Sequence, residues 1–169
     1  MTDFYGGSEL TYEYSGGSIM AGGYKIESTS MMRNFEGGGK TYNNFWGNGA
    51  TDNAKYYILG SNTFNDFKIS NPQHEIHFEN GKTTTVTTFT VSGIIGAGKT
   101  MLIDSVDGIN QFTLSKSSGV VSCDYLDISN SNATGGAKWY TGKHSNNTTN
   151  NSGWIFSGLI QNLGILGVG

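Results

Sequence analysis

Eight consecutive residues could bind a nucleotide. Residues Gly93–Thr100 read Gly-Ile-Ile-Gly-Ala-Gly-Lys-Thr, which satisfies the P-loop pattern. A true P-loop is followed by a helix that begins at its Lys-Thr pair, because the N–H groups of the helix start hold the phosphates. Here the turn dipeptide Asp107-Gly108 leaves room for at most about two helical turns. We therefore predict an ordinary turn and no bound nucleotide.

Histidines and carboxylates could hold a metal or catalyse hydrolysis. His74 and His77 are three residues apart, whereas the helical zinc motif needs a spacing of four, and in a strand the two would face opposite ways. Polysaccharide hydrolases need two acids at a set separation on one face. Four acids are candidates for such a pair: Asp104, Asp107, Asp124 and Asp127. No Lys or Arg cluster accompanies them, and Asp107 fits a turn, so we predict solvated histidines, no metal, no cofactor and no enzymatic activity.

Tryptophan and tyrosine side chains could stack on sugars. The pair Trp139-Tyr140, together with Trp46 and Trp154, could form such a platform. In a fold without helices, however, large aromatic side chains more often fill the core or anchor an interface. We predict the second role and keep glycan binding as the alternative.

The composition favours an all-β chain with many turns. Gly, Asn, Ser and Thr make up 79 of the 169 residues, and charged residues only 14%. A helix bundle needs more Ala, Leu, Glu, Lys and Arg, and a disordered chain would have fewer than 12% aromatic residues. The net charge of −3 and the scattered lysines argue against a nucleic-acid partner. The single cysteine, Cys123, excludes an intrachain disulfide framework.

A repeat of about 22 residues runs through the middle of the chain. Phenylalanines 45, 67, 89 and 112 follow one another at spacings of 22, 22 and 23 residues, each after an apolar residue and two polar ones. Between these segments lie second candidate strands at 56–59, 75–78 and 100–103. Several short strands per period predict a β-solenoid, in which stacked coils bury one another's inner faces. The predicted core column lists as Tyr42, Phe45, Phe64, Phe67, Val86, Phe89, Ile109, Phe112 and, from a shorter fifth copy, Leu126.

We therefore predict a single-stranded, right-handed parallel β-helix. Residues 1–39 are expected to form an irregular cap with the first coils, with strands near 18–20, 24–27 and 31–35, and residues 40–129 the regular coils. Residues 130–169 are expected to form a polar Asn/Thr/Gly-rich loop, a closing strand at 153–156 and an apolar tail. The alternative is an antiparallel sandwich or jelly roll, which would not require a phenylalanine at a fixed interval.

Most of the chain resembles a known module. It is similar to the β-helical segments of bacteriophage virion proteins and of predicted bacterial surface proteins. The residues that carry the resemblance lie in six stretches: Lys40–Phe45, Gly60–Phe67, Phe89–Gly93, Gln111–Gly119, Asp124–Tyr140 and Asn151–Phe156. The resemblance covers roughly residues 40–156 and is specific for the module rather than for one function.

The resemblance implies a structural virion protein, made in the bacterial cytoplasm, that decorates the capsid or forms part of a tail or fibre. Its expected partners are further copies of itself and other virion proteins such as the major capsid protein, and no membrane. A surface glycan is the alternative partner, and a depolymerase is a weaker alternative. The segment after Phe156 is too short and too interrupted to span a bilayer. It is expected to dock on its own domain or on a neighbouring subunit through Leu159, Ile160, Leu163, Ile165, Leu166 and Val168.

Overall fold

The described part of the chain consists of strands and turns. A computed structural model describes residues 12–14, 17–19, 25–28, 32–36, 39, 41–47, 55–69, 72–96 and 100–156, and these contain no helix. The first nine strands are β1 (Tyr12–Tyr14), β2 (Gly17–Ile19), β3 (Lys25–Ser28), β4 (Met32–Glu36), β5 (Thr41–Gly47), β6 (Lys55–Leu59), β7 (Thr63–Ile69), β8 (Glu75–Phe78) and β9 (Thr83–Val91). The next eight are β10 (Met101–Ser105), β11 (Phe112–Ser115), β12 (Val120–Ser122), β13 (Leu126–Ser129), β14 (Ser131–Thr134), β15 (Lys138–Tyr140), β16 (Asn146–Thr149) and β17 (Trp154–Ile155).

The strands stack into three sheets. Sheet A has the order β1-β2-β3-β5-β7-β9-β11-β14, sheet B the order β16-β13-β10-β8-β6-β4, and sheet C the order β12-β15-β17. From β3 onward every pairing between neighbours is parallel, so successive windings of the chain lie on top of one another. The fold is therefore a β-solenoid, as the repeat predicted, and the antiparallel sandwich was the wrong alternative.

The length of a coil is constant only in the lower part of the solenoid. Along sheet A the register advances by 22 residues from Thr41 to Thr63 and again from Thr63 to Thr85. It then advances by 30 residues from Thr85 to Ser115 and by 19 from Ser115 to Thr134. The long step contains the segment 92–100, which enlarges one connection. A fixed period therefore describes two steps of the stack rather than all of it.

Alternation of side chains places the core inside the coils. In β6 and β8 every second residue is buried, and those residues are Tyr56, Ile58, Ile76 and Phe78. Each fully buried large apolar side chain contributes about 1.5–3 kcal/mol. Threonine-rich strands such as β9 suit this arrangement, because β-branched side chains fit a pleated surface that is buried on one face. No helix long and apolar enough to cross a membrane occurs among the described residues.

The N-terminal strands form an irregular end of the solenoid. The predicted strands near 18–20, 24–27 and 31–35 correspond to β2, β3 and β4. β3 pairs in parallel with β5, and β4 pairs in parallel with β6, so these two belong to a coil. β1 and β2 instead pair antiparallel and extend sheet A beyond that coil. Two antiparallel strands thus lie on the edge of sheet A that would otherwise be open to further pairing.

The prediction of a polar loop after residue 130 was wrong. This segment contains β14, β15 and β16, each paired in parallel with the strand below it. The Asn and Thr residues that resemble a loop in composition lie instead on outer faces and at corners, where their side chains bind backbone groups. For example, the Thr134 hydroxyl donates to the carbonyl of Leu114 at 3.1 Å. The closing strand predicted at 153–156 is present as β17.

Candidate functional site: the interior stack and the corners

Three phenylalanine rings form a continuous column inside sheet A. Phe45 pairs with Phe67, and Phe67 pairs with Phe89, on adjacent parallel strands. The ring centroids are 4.9 and 5.6 Å apart, and the planes differ by only 4° and 7°. Stacked pairs of this kind contribute about 0.5–1.5 kcal/mol beyond the burial of their surface. The column therefore fixes the register between coils as well as filling the interior.

A second column runs beside the first. Tyr42, Phe64 and Val86 occupy the same register on the same three strands, and all three are buried. Tyr42 and Phe64 are stacked at 5.5 Å, and Phe64 packs edge-on against Phe67 at 5.4 Å. The six residues from 42 to 89 that were predicted to form the core stack thus lie together.

The predicted fourth step of the column was wrong. Thr113 pairs with Thr83, which places Phe112 level with residue 82 rather than with Phe89. The ring of Phe112 instead stacks on Phe78 of sheet B, with centroids 4.8 Å apart. Ile109, the predicted companion of Phe112, is 71% exposed.

A capped turn explains the position of Ile109. The Asp107 carboxylate accepts hydrogen bonds from the backbone N–H groups of Ile109 and Asn110, at 3.0 and 2.9 Å, and from the Ser105 hydroxyl. The side chain of Asn110 donates to the same carboxylate, and together these bonds hold the pKa of Asp107 well below its usual range. Asp107 is therefore a turn residue, as its position before Gly108 predicted, and the turn holds Ile109 outside the core.

Leu126 is buried, but not in the predicted column. It belongs to sheet B, where it pairs with Met101. The residue that follows Phe112 in sheet A is Ser131, whose hydroxyl accepts a hydrogen bond from Trp154 Nε1 at 2.9 Å. The phenylalanine repeat therefore ends at β11.

Trp139 continues the phenylalanine column through another sheet. Its ring lies 5.7 Å from Phe89 and 5.2 Å from Trp154, edge-on to both. Trp139 is 0% exposed and pairs with Val121, whose small side chain leaves space for the indole to reach Phe89. A sugar platform at Trp139 is excluded by this burial, and the predicted role as a core anchor is confirmed. The period of 22 residues did not point to this contact, since 50 residues separate Phe89 from Trp139.

The P-loop-like segment has no helix after it. Met101, directly after Thr100, begins strand β10, which pairs with β8 and β13. The N–H of Gly93 donates to the carbonyl of Asp124 at 3.1 Å, so this group serves the stack of coils. Ile95 is 79% exposed at the tip of the connection. Lys99 lies outside the described residues, and the strand at Met101 is the feature that departs from a phosphate-binding loop.

Two histidines sit in matching surroundings on the surface. The ring of His77 stacks on Tyr57 of the neighbouring strand at 4.9 Å, and its Nε2 lies 3.0 Å from Glu75. The ring of His144 stacks on Tyr125 at 4.3 Å, and its Nδ1 lies 2.8 Å from Asp124.

The carboxylates beside these histidines titrate lower than usual. Burial acts to raise the pKa of Glu75, but hydrogen bonds from Lys55 and His77 outweigh it and lower the pKa. Burial likewise opposes the shift at Asp124, where hydrogen bonds from His144 and from the N–H of Tyr125 lower the pKa. Both carboxylates are therefore held in the ionised form by structural partners.

The third histidine is not solvated, contrary to the prediction. His74 is buried, and its ring packs edge-on against Tyr56 at 5.4 Å. It lies just before β8, so its side chain enters the core at the corner between two strands. Among the described residues, no group of three or more His, Cys, Asp or Glu side chains could hold a metal ion.

Amide side chains join the coils at one corner. Asn130 donates to Asp104 at 2.9 Å, and Asn150 in the next coil donates to Asn130 at 3.0 Å. Both asparagines have positive φ, which Asn tolerates better than most residues. Asp127, on the outer face of sheet B, is bound by the side chain of Asn146 in the strand above. The acids considered for catalysis are thus used in bonds within and between coils.

Sequence reasoning missed this corner column, although a signal was present. Asn62, Asn130 and Asn151 each come just before or inside the turn that leads into a strand or bridge of sheet A. The buried Asn62 donates to the carbonyl of Leu59 at 2.9 Å. A repeated Asn at the entry to a strand therefore marked the corner.

Comparison of the chain with protein-family models, with curated proteins and with solved structures finds no match. The predicted interface residues, which all lie between 159 and 168, are outside the described residues. Their role stays a prediction.

Proposed function

We propose that this chain is a non-enzymatic structural protein of a bacteriophage particle, which decorates or cements the capsid or forms part of a tail or fibre. The observation that supports this most is the continuous locking of each coil to the next. The ring column, the parallel backbone ladders and the corner amides all act between successive coils. Such a body resists bending and proteolysis, which are properties that an extracellular particle requires.

The polar side chains support a structural role. The carboxylates of Asp104, Asp107 and Asp124 each accept hydrogen bonds from the chain itself. An acid that catalyses hydrolysis of a glycosidic bond is expected instead to face a cleft, with its pKa tuned toward the pH of the reaction. For Asp107 and Asp124 the pKa is shifted downward, away from the range of a general acid.

The sequence resemblance is the second support. The stretches Asp124–Tyr140 and Asn151–Phe156, which carry much of the likeness to phage β-helical segments, form the last coils of the described solenoid. The proposed location is the virion, after synthesis in the bacterial cytoplasm. The proposed partners are further copies of this chain and other virion proteins, contacted through the apolar segment 158–169.

Purified particles test this proposal. The chain is expressed with an affinity tag in the host bacterium during production of the particles that encode it, and intact particles are banded on a density gradient. We expect the chain to band with the particles at a fixed copy number per capsid by quantitative mass spectrometry. A variant that lacks residues 158–169 should keep the circular dichroism spectrum of the β fold but be lost from the particles.

A control separates a specific contact from general stickiness. In this control, residues 158–169 are scrambled, so that composition is kept and the order of apolar residues is changed. Full incorporation of the scrambled variant would argue against a specific contact. Recovery of the wild-type chain only in the soluble fraction, or binding to host polysaccharide that Tyr140→Ala abolishes, would contradict the structural proposal.

A further inference from the structure

The outer face of sheet C carries apolar side chains without cover in the described part of the chain. In this sheet Ser122, Tyr140 and Ile155 are paired across three strands, and Val120 lies two residues before Ser122. Val120 is 59% exposed and Ile155 is 39% exposed. The face formed by Val120, Tyr140 and Ile155 is called the sheet C patch below. Exposed apolar patches of this kind mark interaction sites more often than isolated exposed residues do.

The upper end of the core is already closed. Trp154 lies over Trp139 and is only 9% exposed itself. Beside it, the side chain of Asn151 donates to the carbonyl of Ile128 and to Asn147. Polar amides and one indole thus finish this end, and the core does not need a further apolar segment to complete it.

The segment 158–169 begins three residues after Ile155. It contains six large apolar side chains and no charged residue. Phe156 packs against the core, so the chain still follows the end of the solenoid at this point. To reach its own sheet C patch, the segment would have to reverse direction within Ser157 and Gly158.

We propose that the sheet C patch of one copy receives the apolar segment 158–168 of a neighbouring copy. This inference rests on the proposed assembly of the chain with itself, and it adds the receiving surface. Lys138 is the one charged residue in the described strands of sheet C. An uncharged segment can therefore cover the patch without burying an ion pair, and the apolar side chains of both partners leave water together.

Surface substitutions test the patch. Val120→Ser and Ile155→Ser are combined, and Ile109→Ser, which alters an equally exposed isoleucine in another part of the chain, is the matched control. We expect the double variant to keep the wild-type unfolding midpoint and to weaken self-association by about tenfold or more in sedimentation velocity. The control should associate like wild type. Unchanged association of the double variant would overturn the inference.

Disulfide trapping identifies the occupant. Ile155→Cys and Leu163→Cys are placed on separate copies that carry different tags. Burial raises the pKa of the Cys123 thiol to about 12, which keeps it out of the reaction. A mixed disulfide between the two tagged copies supports the proposal. A lack of this product, or formation of only a monomeric intrachain disulfide when both cysteines are on one copy, would overturn it.

The two proposals fail in different ways. If deletion of 158–169 removes the chain from particles while the patch variants associate normally, the segment contacts another virion protein. The structural function then stands, and the sheet C patch is not its receptor. If the chain is absent from particles but the patch variants still weaken self-association, the receiving surface stands and the virion location is wrong.

Discussion

The shift of Phe112 from the phenylalanine column to sheet B can be measured as a coupling energy. A double-mutant cycle compares Phe112→Leu with Phe78→Leu, and a second cycle compares Phe112→Leu with Phe89→Leu. Leucine keeps an apolar side chain in the core, so each single substitution should cost less than about 1.5 kcal/mol. The coupling then reports the ring contact rather than the loss of burial.

The structure gives different magnitudes for the two cycles. The rings of Phe78 and Phe112 are 4.8 Å apart with planes inclined by 24°, which predicts a coupling of about 1 kcal/mol. Phe89 lies seven residues farther along β9 than the position level with Phe112. At about 3.3 Å per residue this is on the order of 20 Å of strand, so the coupling should stay below about 0.5 kcal/mol.

Urea unfolding followed by circular dichroism and by tryptophan fluorescence provides the assay. Both signals are needed, because a solenoid can unfold in parts and only coincident transitions justify one free energy. Ile109→Ala serves as a further control, and we expect its cost to remain within about 0.5 kcal/mol because the side chain is exposed. Equal couplings in the two cycles, or a cost for Ile109→Ala comparable to that of a core residue, would refute the register described for β11.

Three further predictions concern the corner and end residues. The pKa of Asp124 is lowered in the folded protein, so its contribution to stability is present above its unfolded pKa near 4 and is lost as the pH falls through the lower folded value. Between pH 5 and pH 2, Asp124→Asn should therefore flatten the fall in urea midpoint relative to wild type, and an unchanged slope would count against the bonds from His144. Cys123, with its pKa raised to about 12 by burial, should react with a thiol reagent at pH 8 only after unfolding, and rapid labelling of the native protein would contradict its burial. Gly153→Ala should lower the thermal midpoint far more than Gly81→Ala, although both glycines have positive φ, because a Cβ at 153 would lie 1.8 Å from a carbonyl oxygen of β14, whereas one at 81 meets nothing within 4 Å; similar midpoints for the two variants would show that β17 is not seated as described.

The regular coils were predictable because local and long-range signals coincide there. In β5, β7 and β9 the same apolar-polar-polar-Phe pattern recurs at the spacing of one coil. The inward residues of one coil therefore meet residues of the same type in the next. Pattern and contact are the same observation in this part of the chain, and the sequence was sufficient to predict the stacking.

The candidate chemistry was harder to predict from residue types. Asp107 before Gly108 indicated a turn, and the hydrogen bonds to its carboxylate agree with that. His74 was expected in solvent because histidine is polar, but its burial depends on the ring of Tyr56, which lies in a different strand. The partner of each such group comes from another coil, and a single sequence does not state which coil that is.

The upper coils escaped prediction because the interior is filled by exchange between sheets. Where sheet A changes from the phenylalanine of β11 to Ser131 in β14, sheet C changes from Val121 to Trp139. A small residue in one sheet is thus matched by a large one in another, and the indole reaches Phe89 across the space that Val121 leaves. Close packing requires that the interior of each coil be filled, but it does not require that the same sheet fill it each time. A search for one residue type at one spacing follows a single sheet and loses the column at the coil where the large side chain moves to the next sheet.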